Sequence, residues 1–551
     1  MLLTAISYHG AYCMLSLLQK NRWERLLLTA TGLCVLVAAI LSFIVPPGAD
    51  TDPCWGFIVM HGMEQGHHFN QLIMPSPANI AVDHAEFLAW WSPGQYLLPY
   101  FFKLLLNINT GHSVSLTVAL CDILGLVGFY KLCRRLNFNA RVAAVSTAFL
   151  ASQLFFTSTF TYYTGGELLL FAFTGWFLNG CFLFEKVSWR LLLFLFLAAF
   201  IGFFAKSSFL WVLAAGTACC WINISFLETA GLQVSGNLKS TNANEKRVLI
   251  WAKNGLVLAI PFISALVMFY VFYLSKGITP ALTGGASVVK AETFGFPLAS
   301  PFLSAFSVDE LFSGLICQDG GSSVSHQLAV FIVFAFAVLS LTFLVMVIRC
   351  SPGKKYLVAF LTFYITGVLF FSFLFLNQSE VSCEGRHFRV IGMLAIPGLV
   401  YLAFKTKLTT VLFFAVWLFF IYTSSATFLR ELEANRDAAK GNLGISQQLY
   451  DKTTMNAILK MDREQAGKAT FVMLSADIAA EVRYNRVIAI DTGTTSWMIE
   501  YRGRCGNLYI LMPADFISKK KADSVLNCFP GYHKFSSKQL SPDFYLYSAN
   551  H

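Results

Sequence analysis

From about residue 25 to residue 430 the chain repeats one pattern, a long apolar run followed by a short polar connection. The runs are Arg25–Pro46, Ser113–Leu132, Val142–Tyr162, Glu167–Phe184, Trp189–Lys206, Ser208–Phe226, Leu256–Leu274, Ala329–Ile348, Leu357–Leu376, Val390–Phe404 and Leu408–Leu429. A helix needs about 20 apolar residues to cross about 30 Å of hydrocarbon, so residues 25–429 are predicted to form an all-α polytopic membrane domain of about 11 transmembrane helices. Met1–Leu18 lacks the charged start and small-residue cleavage site of a signal peptide. Residues 1–24 are therefore expected to be an interfacial, cytoplasmic segment.

The connections also alternate in charge. Lys20, Arg22 and Arg25; Lys131, Arg134, Arg135 and Arg141; Lys186 and Arg190; Lys239, Lys246, Arg247 and Lys253; Arg349, Lys354 and Lys355; and Lys405 and Lys407 fall on every second one. Short basic loops stay cytoplasmic, so the loop at 47–112 and the tail at 430–551 are expected outside. Hydropathy drops after Leu429. "ATFVMLS", "RVIAID" and "GNLYILMP" then read as buried strands, and "ADIAAEVRYN" and "ADFISKKKADSVLNCF" as helices, which predicts a small extracytoplasmic α/β domain. The outer loop at 276–326 is rich in Gly, Pro and Phe and reads as a gating loop. The polar stretch "GLQVSGNLKSTNANEKR" reads as a cytoplasmic linker.

Composition agrees with this picture. Of 551 residues 56% are hydrophobic, only 13% are charged and 54 are Phe, with a mean hydropathy of +0.61. Those values exclude a soluble globular chain. The net charge of +10 is the loop bias already described, not a nucleic-acid footprint. Of 13 cysteines, Cys54, Cys317, Cys383, Cys505 and Cys528 fall outside, and a Cys505–Cys528 disulfide is one expectation, two buried thiols the other. The tail holds no G-x-G-x-x-G, P-loop or G-x-S-x-G.

The candidate chemistry gathers on the outer side. Asp50 and Asp52 follow the first run, Asp83 and Glu86 come later in the same loop with Trp90 and Trp91, and Lys206, Arg386, His387 and Arg389 stand at outer helix ends. Two arginines there run against the inside bias for positive charge, which points to a function. His67 and His68 are adjacent and point different ways, so they make a poor metal pair.

"VPPGADTDPCWGF", then "FIVMHGMEQGHHFN", then "WWSPGQYLLPYFFKLL", with "CEGRHFRVIGMLAIPG" far downstream, resembles the GT-C superfamily of membrane glycosyltransferases. Within it the protein O-mannosyltransferases and the lipid A aminoarabinose transferases are the most similar. The resemblance spans most of the chain in architecture, but in residues it rests on the first loop and the "CEGRHFRV" segment. It implies transfer of a sugar from a polyprenyl-phosphate donor to a glycan, lipid or protein acceptor, at the extracytoplasmic face of a bacterial inner membrane, with inversion. An acceptor hydroxyl is a weak nucleophile, so a carboxylate must take its proton. The resemblance assigns that role to an Asp of the first loop, Asp52 or Asp50, with Asp52 favoured. The leaving phosphate needs cations, and Arg386, His387, Arg389 and Lys206 are the candidates. Asp83, Glu86, Trp90 and Trp91 are candidates for acceptor or sugar binding.

Each assignment has a structural competitor. Asp50 or Asp52 would cap a helix starting near Pro53. Lys206 would snorkel to the interface. Arg386 or Arg389 would pair with Glu380 or Glu384. Asp83 and Glu86, three apart, would share a solvated helix face, and the tryptophans would mark the membrane interface. No cofactor is called for, and no ligand set supports a divalent metal. Two other functions compete: a lipid-linked oligosaccharide ligase or polymerase, and a lipid or sugar transporter. Transport would place ionisable residues in mid-span, where the sequence has almost none.

Overall fold

The computed structural model describes residues 22–228, 242–277, 287, 289–312, 315, 324–379, 381, 383–490 and 499–550. The expected interfacial segment before Arg22, most of the linker, and much of the gating loop lie outside the described residues.

All eleven apolar runs are helical, but they are not equal. Seven helices are long and apolar enough to cross a membrane, from Trp23–Ile44 to Lys407–Asp437. The run Val142–Tyr162 is a broken pair, Ala140–Ala151 and Leu154–Phe160, bent by 63°. Gly166–Cys181, Trp189–Ala205 and Arg389–Ala403 have 16, 17 and 15 residues. At 1.5 Å per residue these reach only about 22–26 Å. The expected count of about 11 full crossings is thus corrected to seven, or eight with the bent pair, among the described residues. The chain is an integral membrane protein.

Polar side chains cap the starts of several of these helices. Asn109 accepts from the His112 N–H at 2.8 Å, Asn139 from Val142 at 2.9 Å and Ser188 from Leu191 at 3.3 Å, each satisfying an otherwise orphaned donor. The helix ends gather into two groups. At one end Arg135 Nε donates to Asn179 at 3.2 Å, Asn223 donates to the Phe184 carbonyl at 3.3 Å, and Arg141 lies 4.7 Å from the Phe404 ring centroid. At the other end, distant pieces of chain meet in a small sheet of order Tyr162–Tyr163, Gly48–Ala49, Ser446–Gln447, Ala439–Lys440. The first three strands run parallel.

The last spanning helix continues without a break to Asp437 and is tied to this sheet. Asn435 donates to the Thr161 carbonyl at 2.7 Å, and the Ser446 hydroxyl donates to Pro46 O at 2.8 Å. Beyond it stands the C-terminal α/β domain, a five-stranded sheet in the order Ser536–Gln539, Phe544–Ala549, Asn507–Pro513, Ala469–Met473, Arg486–Ala489. The three strands read from the sequence are parallel to one another; the terminal hairpin adds two antiparallel ones. The helices are shorter than the sequence suggests. "ADIAAEVRYN" forms only Ala476–Ala479, and "ADFISKKKADSVLNCF" splits into Ala514–Ser518 and Ala522–Leu526 where Lys520 takes φ 55°. Cys505 and Cys528 are free thiols. The Cys528 thiol points at the Ser524 carbonyl, 3.4 Å away, so the expected disulfide is corrected.

A second correction concerns the first outer loop. "DHAEF" is not helical: Asn79–Phe87 pairs antiparallel with Gln71–Ser76. Side chains three apart on a strand lie on opposite faces, so Asp83 and Glu86 share none. The hairpin docks on the C-terminal domain, with Ile80 inside that domain's apolar core and its N–H on Arg502 O at 2.8 Å.

Candidate active site

The Thr51–Glu64 helix lies where the sheet leaves the membrane domain. Gly48 N–H donates to Thr161 O at 3.0 Å and Asp50 N–H to Tyr163 O at 2.9 Å, so backbone bonds hold Asp50 before the helix begins. Asp50 occupies the cap position, yet its side chain makes no cap hydrogen bond, and Asp52 stands in the first turn. Pro53 is the third helical residue, not the first. Capping is therefore not what these carboxylates do.

Their partner is Arg386. Its Nη1 lies 3.6 Å from Asp50 Oδ2 and 4.0 Å from Asp52 Oδ2, its Nε 3.6 Å from Glu167 Oε1, and it pairs with Glu384. Glu167 is 6% exposed and also holds Lys206. Burial pushes the Asp50 carboxyl up to about 7, with its neighbour Asp52 adding to the rise and Arg386 opposing it. Asp52 is raised by burial as well, against Arg386. Burial works against the Arg386 charge, but Glu167, Glu384 and the two aspartates outweigh it and hold the guanidinium firmly protonated.

His387 packs against Phe371 with ring centroids 5.8 Å apart. Burial, then Lys206 and Arg386, push its imidazole well below the ordinary value, so at neutral pH it is uncharged. It offers a hydrogen bond rather than a positive charge. Arg389 stands 5.1 Å over the Phe155 ring, with Glu310 Oε1 at 3.4 Å; its Nε is buried without a hydrogen-bond partner.

Residues of the 276–326 loop hold this arginine segment in place. Among the described residues that loop folds as Ala291–Ala305 and Val308–Leu311. Asp309 accepts from the Gly385 N–H at 2.8 Å and from Leu315 N–H at 3.0 Å. A Cβ on Gly385 would stand 3.0 Å from that of Asp309, so the close approach requires glycine. The acidic pair in "SVDEL" is the sequence signal for this contact of the expected gating loop.

Trp91 opposes the rise of the Asp52 carboxyl and stacks at 6.4 Å on Trp55. A buried network fixes it. Tyr273 OH donates to Trp91 O at 2.6 Å, Tyr96 OH to Asn70 at 2.8 Å, and Asn70 Nδ2 to Leu88 O at 2.8 Å. Trp90 is 40% exposed and outside the cluster. Asp83 binds Arg486 of the C-terminal domain at 2.5 and 2.8 Å, a docking contact, and Glu86 faces away from it. Among the described residues no three His, Cys, Asp or Glu are grouped to hold a metal ion.

Two residues escaped sequence reasoning. Asp477 of the C-terminal domain is buried where its short helix packs on Thr51–Glu64, with its Oδ1 lacking a hydrogen-bond partner. Asp122, in mid-span and fully buried, accepts from Thr159 at 2.7 Å and faces Arg389. The spans are thus not quite free of ionisable groups, but this one braces the bend below the site.

No family model matches the chain, and no curated protein matches it in sequence. Solved structures do match. ArnT from Cupriavidus metallidurans bound to undecaprenyl phosphate aligns with a TM-score of 0.50 at 11% identity, covering 94% of this chain and 97% of that one. Its apo form aligns at 0.44 and 12%, over 94% and 98%. The Archaeoglobus fulgidus oligosaccharyltransferase aligns at 0.47 and 12%, over 97% and 75%. The chain therefore shares the fold of the undecaprenyl phosphate-bound ArnT structure, the kind of fold the motif resemblance implied. At such identity the likeness to the undecaprenyl phosphate-bound enzyme speaks to the fold alone.

Proposed function

We propose that this protein is a membrane glycosyltransferase that moves a sugar from a polyprenyl-phosphate donor to a glycan, lipid or protein acceptor at the extracytoplasmic face. The observation that carries the reading is the pair of raised carboxylates facing one arginine at the rim of the membrane domain. Asp52, beside Trp91, takes the proton of the acceptor hydroxyl as its oxygen attacks the anomeric carbon. The bond from that carbon to the phosphate oxygen breaks, the lipid phosphate leaves with the electron pair, and the configuration inverts. Burial holds the Asp52 carboxyl above its ordinary value, which makes its carboxylate a stronger proton acceptor than a free aspartate.

The departing phosphate needs fixed positive charge in a site of low dielectric. Arg389, with one acidic partner and a free Nε, is the cation best placed to receive it. Lys206 and Arg386 are already shared among carboxylates and set the field behind it. His387 donates or accepts a neutral hydrogen bond. The alternation of basic connections along the sequence supports the outer orientation.

The test is turnover of undecaprenyl-phosphate-linked sugars in proteoliposomes. Asp52→Asn keeps the size and removes the base. Loss of turnover with undecaprenyl phosphate binding retained supports the reading; normal turnover would sink it.

A further inference from the structure

Where the first outer hairpin docks on the C-terminal domain, the two leave a cleft of about 230 Å³ between them. Its walls come from the last turns of the Thr51–Glu64 helix, from the strands Gln71–Ser76 and Asn79–Phe87, and from residues 479–487 of the C-terminal domain. The buried part of the lining is apolar, with Ile58 8% and Val482 3% exposed, and the outer part is polar. That volume lies below the roughly 300–1,000 Å³ that encloses a whole drug-sized ligand. It suits one sugar residue.

The backbone that carries Arg483 and Tyr484 is fixed from both sides. The fully buried Asp462 accepts from the Arg483 N–H at 2.8 Å, the Tyr484 N–H at 3.2 Å and Asn485 Nδ2 at 2.9 Å. Gln65 Nε2 donates to the Arg483 carbonyl at 3.2 Å from the other side of the cleft, and Gly467, at φ 71°, donates its N–H to the Tyr484 carbonyl at 2.9 Å. The two side chains stand out from this frame. Tyr484 is 51% exposed and the Arg483 side chain 40%.

Docking already has its own contacts, because Arg486 is held by Asp83 at 2.5 and 2.8 Å and Ile80 is buried in the domain's core. Glu64 is likewise taken, with Lys103 Nζ at 2.5 Å. The one carboxylate within ion-pair distance of Arg483 among the described residues is that same Glu64, at 4.0 Å. Three cations, Lys103, Arg483 and Arg486, thus share two carboxylates, Glu64 and Asp83, and the surplus charge is the Arg483 guanidinium. A guanidinium is a planar fork that matches a carboxylate or a phosphate, and a tyrosine ring, apolar on its face and polar at its edge, matches a sugar ring. His67 adds an exposed imidazole to the same rim. His61, also in the lining, lies nine residues beyond Asp52 on one helix, about 14 Å along its axis.

We propose that this cleft binds one acidic sugar residue of a glycan acceptor, its carboxylate or phosphate on Arg483 and its ring on Tyr484, while the hydroxyl to be glycosylated lies at Asp52. The acceptor is then an anionic glycan long enough to run about 14 Å along the helix, an inference that rests on the glycosyl-transfer reading above.

The test is direct binding to the full-length protein in lipid nanodiscs with no donor present, followed by saturation-transfer NMR. The probes are glucuronate, glucose 6-phosphate, glucose and inorganic phosphate. An acidic sugar should bind, and glucose should bind about 10- to 100-fold more weakly, the worth of a hydrogen bond to a charged group. Arg483→Gln should erase that preference and leave glucose binding unchanged, whereas Tyr484→Ala should weaken every sugar. Neither change should lower the melting temperature, since both side chains stand out from the domain. Binding of glucuronate alone assigns a carboxylate to the natural ligand, and binding of glucose 6-phosphate alone a phosphate. Failure of both acidic sugars to bind overturns the proposal, as does their unchanged binding in Arg483→Gln, or inorganic phosphate that binds as tightly as glucose 6-phosphate. If Asp52→Asn is inactive in turnover while no acidic sugar binds, only this proposal falls. If Asp52→Asn turns over normally while acidic sugars bind at Arg483, the functional reading falls and the cleft stands as a site for acidic sugars.

Discussion

The two ends of the Thr51–Glu64 helix carry the same chemical group in opposite electrostatic states. At its start burial first, then Asp52 and Glu167, raise the Asp50 carboxyl to about 7 against the one arginine it shares with them. At its end burial also pushes Glu64 up, but hydrogen bonds from His61 and Lys103 prevail and leave it at about 2. Lys103 Nζ lies 2.5 Å from Glu64, and Arg483 4.0 Å away. The lesson is stoichiometric. Where cations match carboxylates the group is a fastening; where carboxylates outnumber cations the group is held near its titration point, as proton transfer requires.

The largest effect expected from breaking this contrast is at Asp52. Loss of a general base costs about 10²- to 10⁴-fold, so Asp52→Asn should all but abolish turnover while its melting temperature stays near that of the unaltered protein. Arg386→Ala comes next. It removes a charge-stabilising group worth about 10²- to 10³-fold. Because Arg386 lowers both aspartates, its loss should also move the acidic limb of activity to higher pH, measurable in the residual rate.

The unaltered protein should show that limb above the ordinary carboxylate value of 3.8, since burial raises both aspartates and the base works only when deprotonated. Asp50→Asn takes a like charge from beside Asp52. It should shift the limb downward and cost less rate than Asp52→Asn; kcat/KM from pH 5 to 9 measures both.

The smallest effect belongs to the other end. Glu64→Gln should leave turnover unchanged and lower stability by under about 1 kcal/mol, the usual worth of a solvent-screened pair. Glu64 is depressed in the folded state, so its contribution is present above its ordinary pKa and fades as pH falls toward about 2. Thermal melts of the variant and the unaltered protein should therefore converge in acid.

The membrane helices were legible in the sequence because apolar length is a local property. Their full count was not, since Gly166–Cys181 and Arg389–Ala403 are largely covered by neighbours, while Trp189–Ala205 keeps an exposed apolar face but has only 17 residues. Asp50, Asp52, Arg386 and Lys206 were legible as polar groups in unexpected places, and the structure brings them together. Their sharing was not, because Arg386 meets Asp50 only through tertiary contact across most of the membrane domain. "DHAEFLAWW" misled because spacing by three suits a helix, whereas pairing with Gln71–Ser76 made it a strand. Asp477 was invisible for a different reason: nothing local distinguishes a surface aspartate of one domain from a wall of another's site.

The small parallel sheet sets a timetable. Gly48–Ala49 is an early segment, yet its neighbour strand holds Ser446, whose hydroxyl closes on Pro46 across a separation of 400 residues. Chains emerge at about 5–20 residues per second, so roughly 20–80 s pass before that strand can close. Until then Asp50 and Asp52 lack half of their scaffold. The nascent protein can enter the membrane and thread its helices before this part of its fold exists.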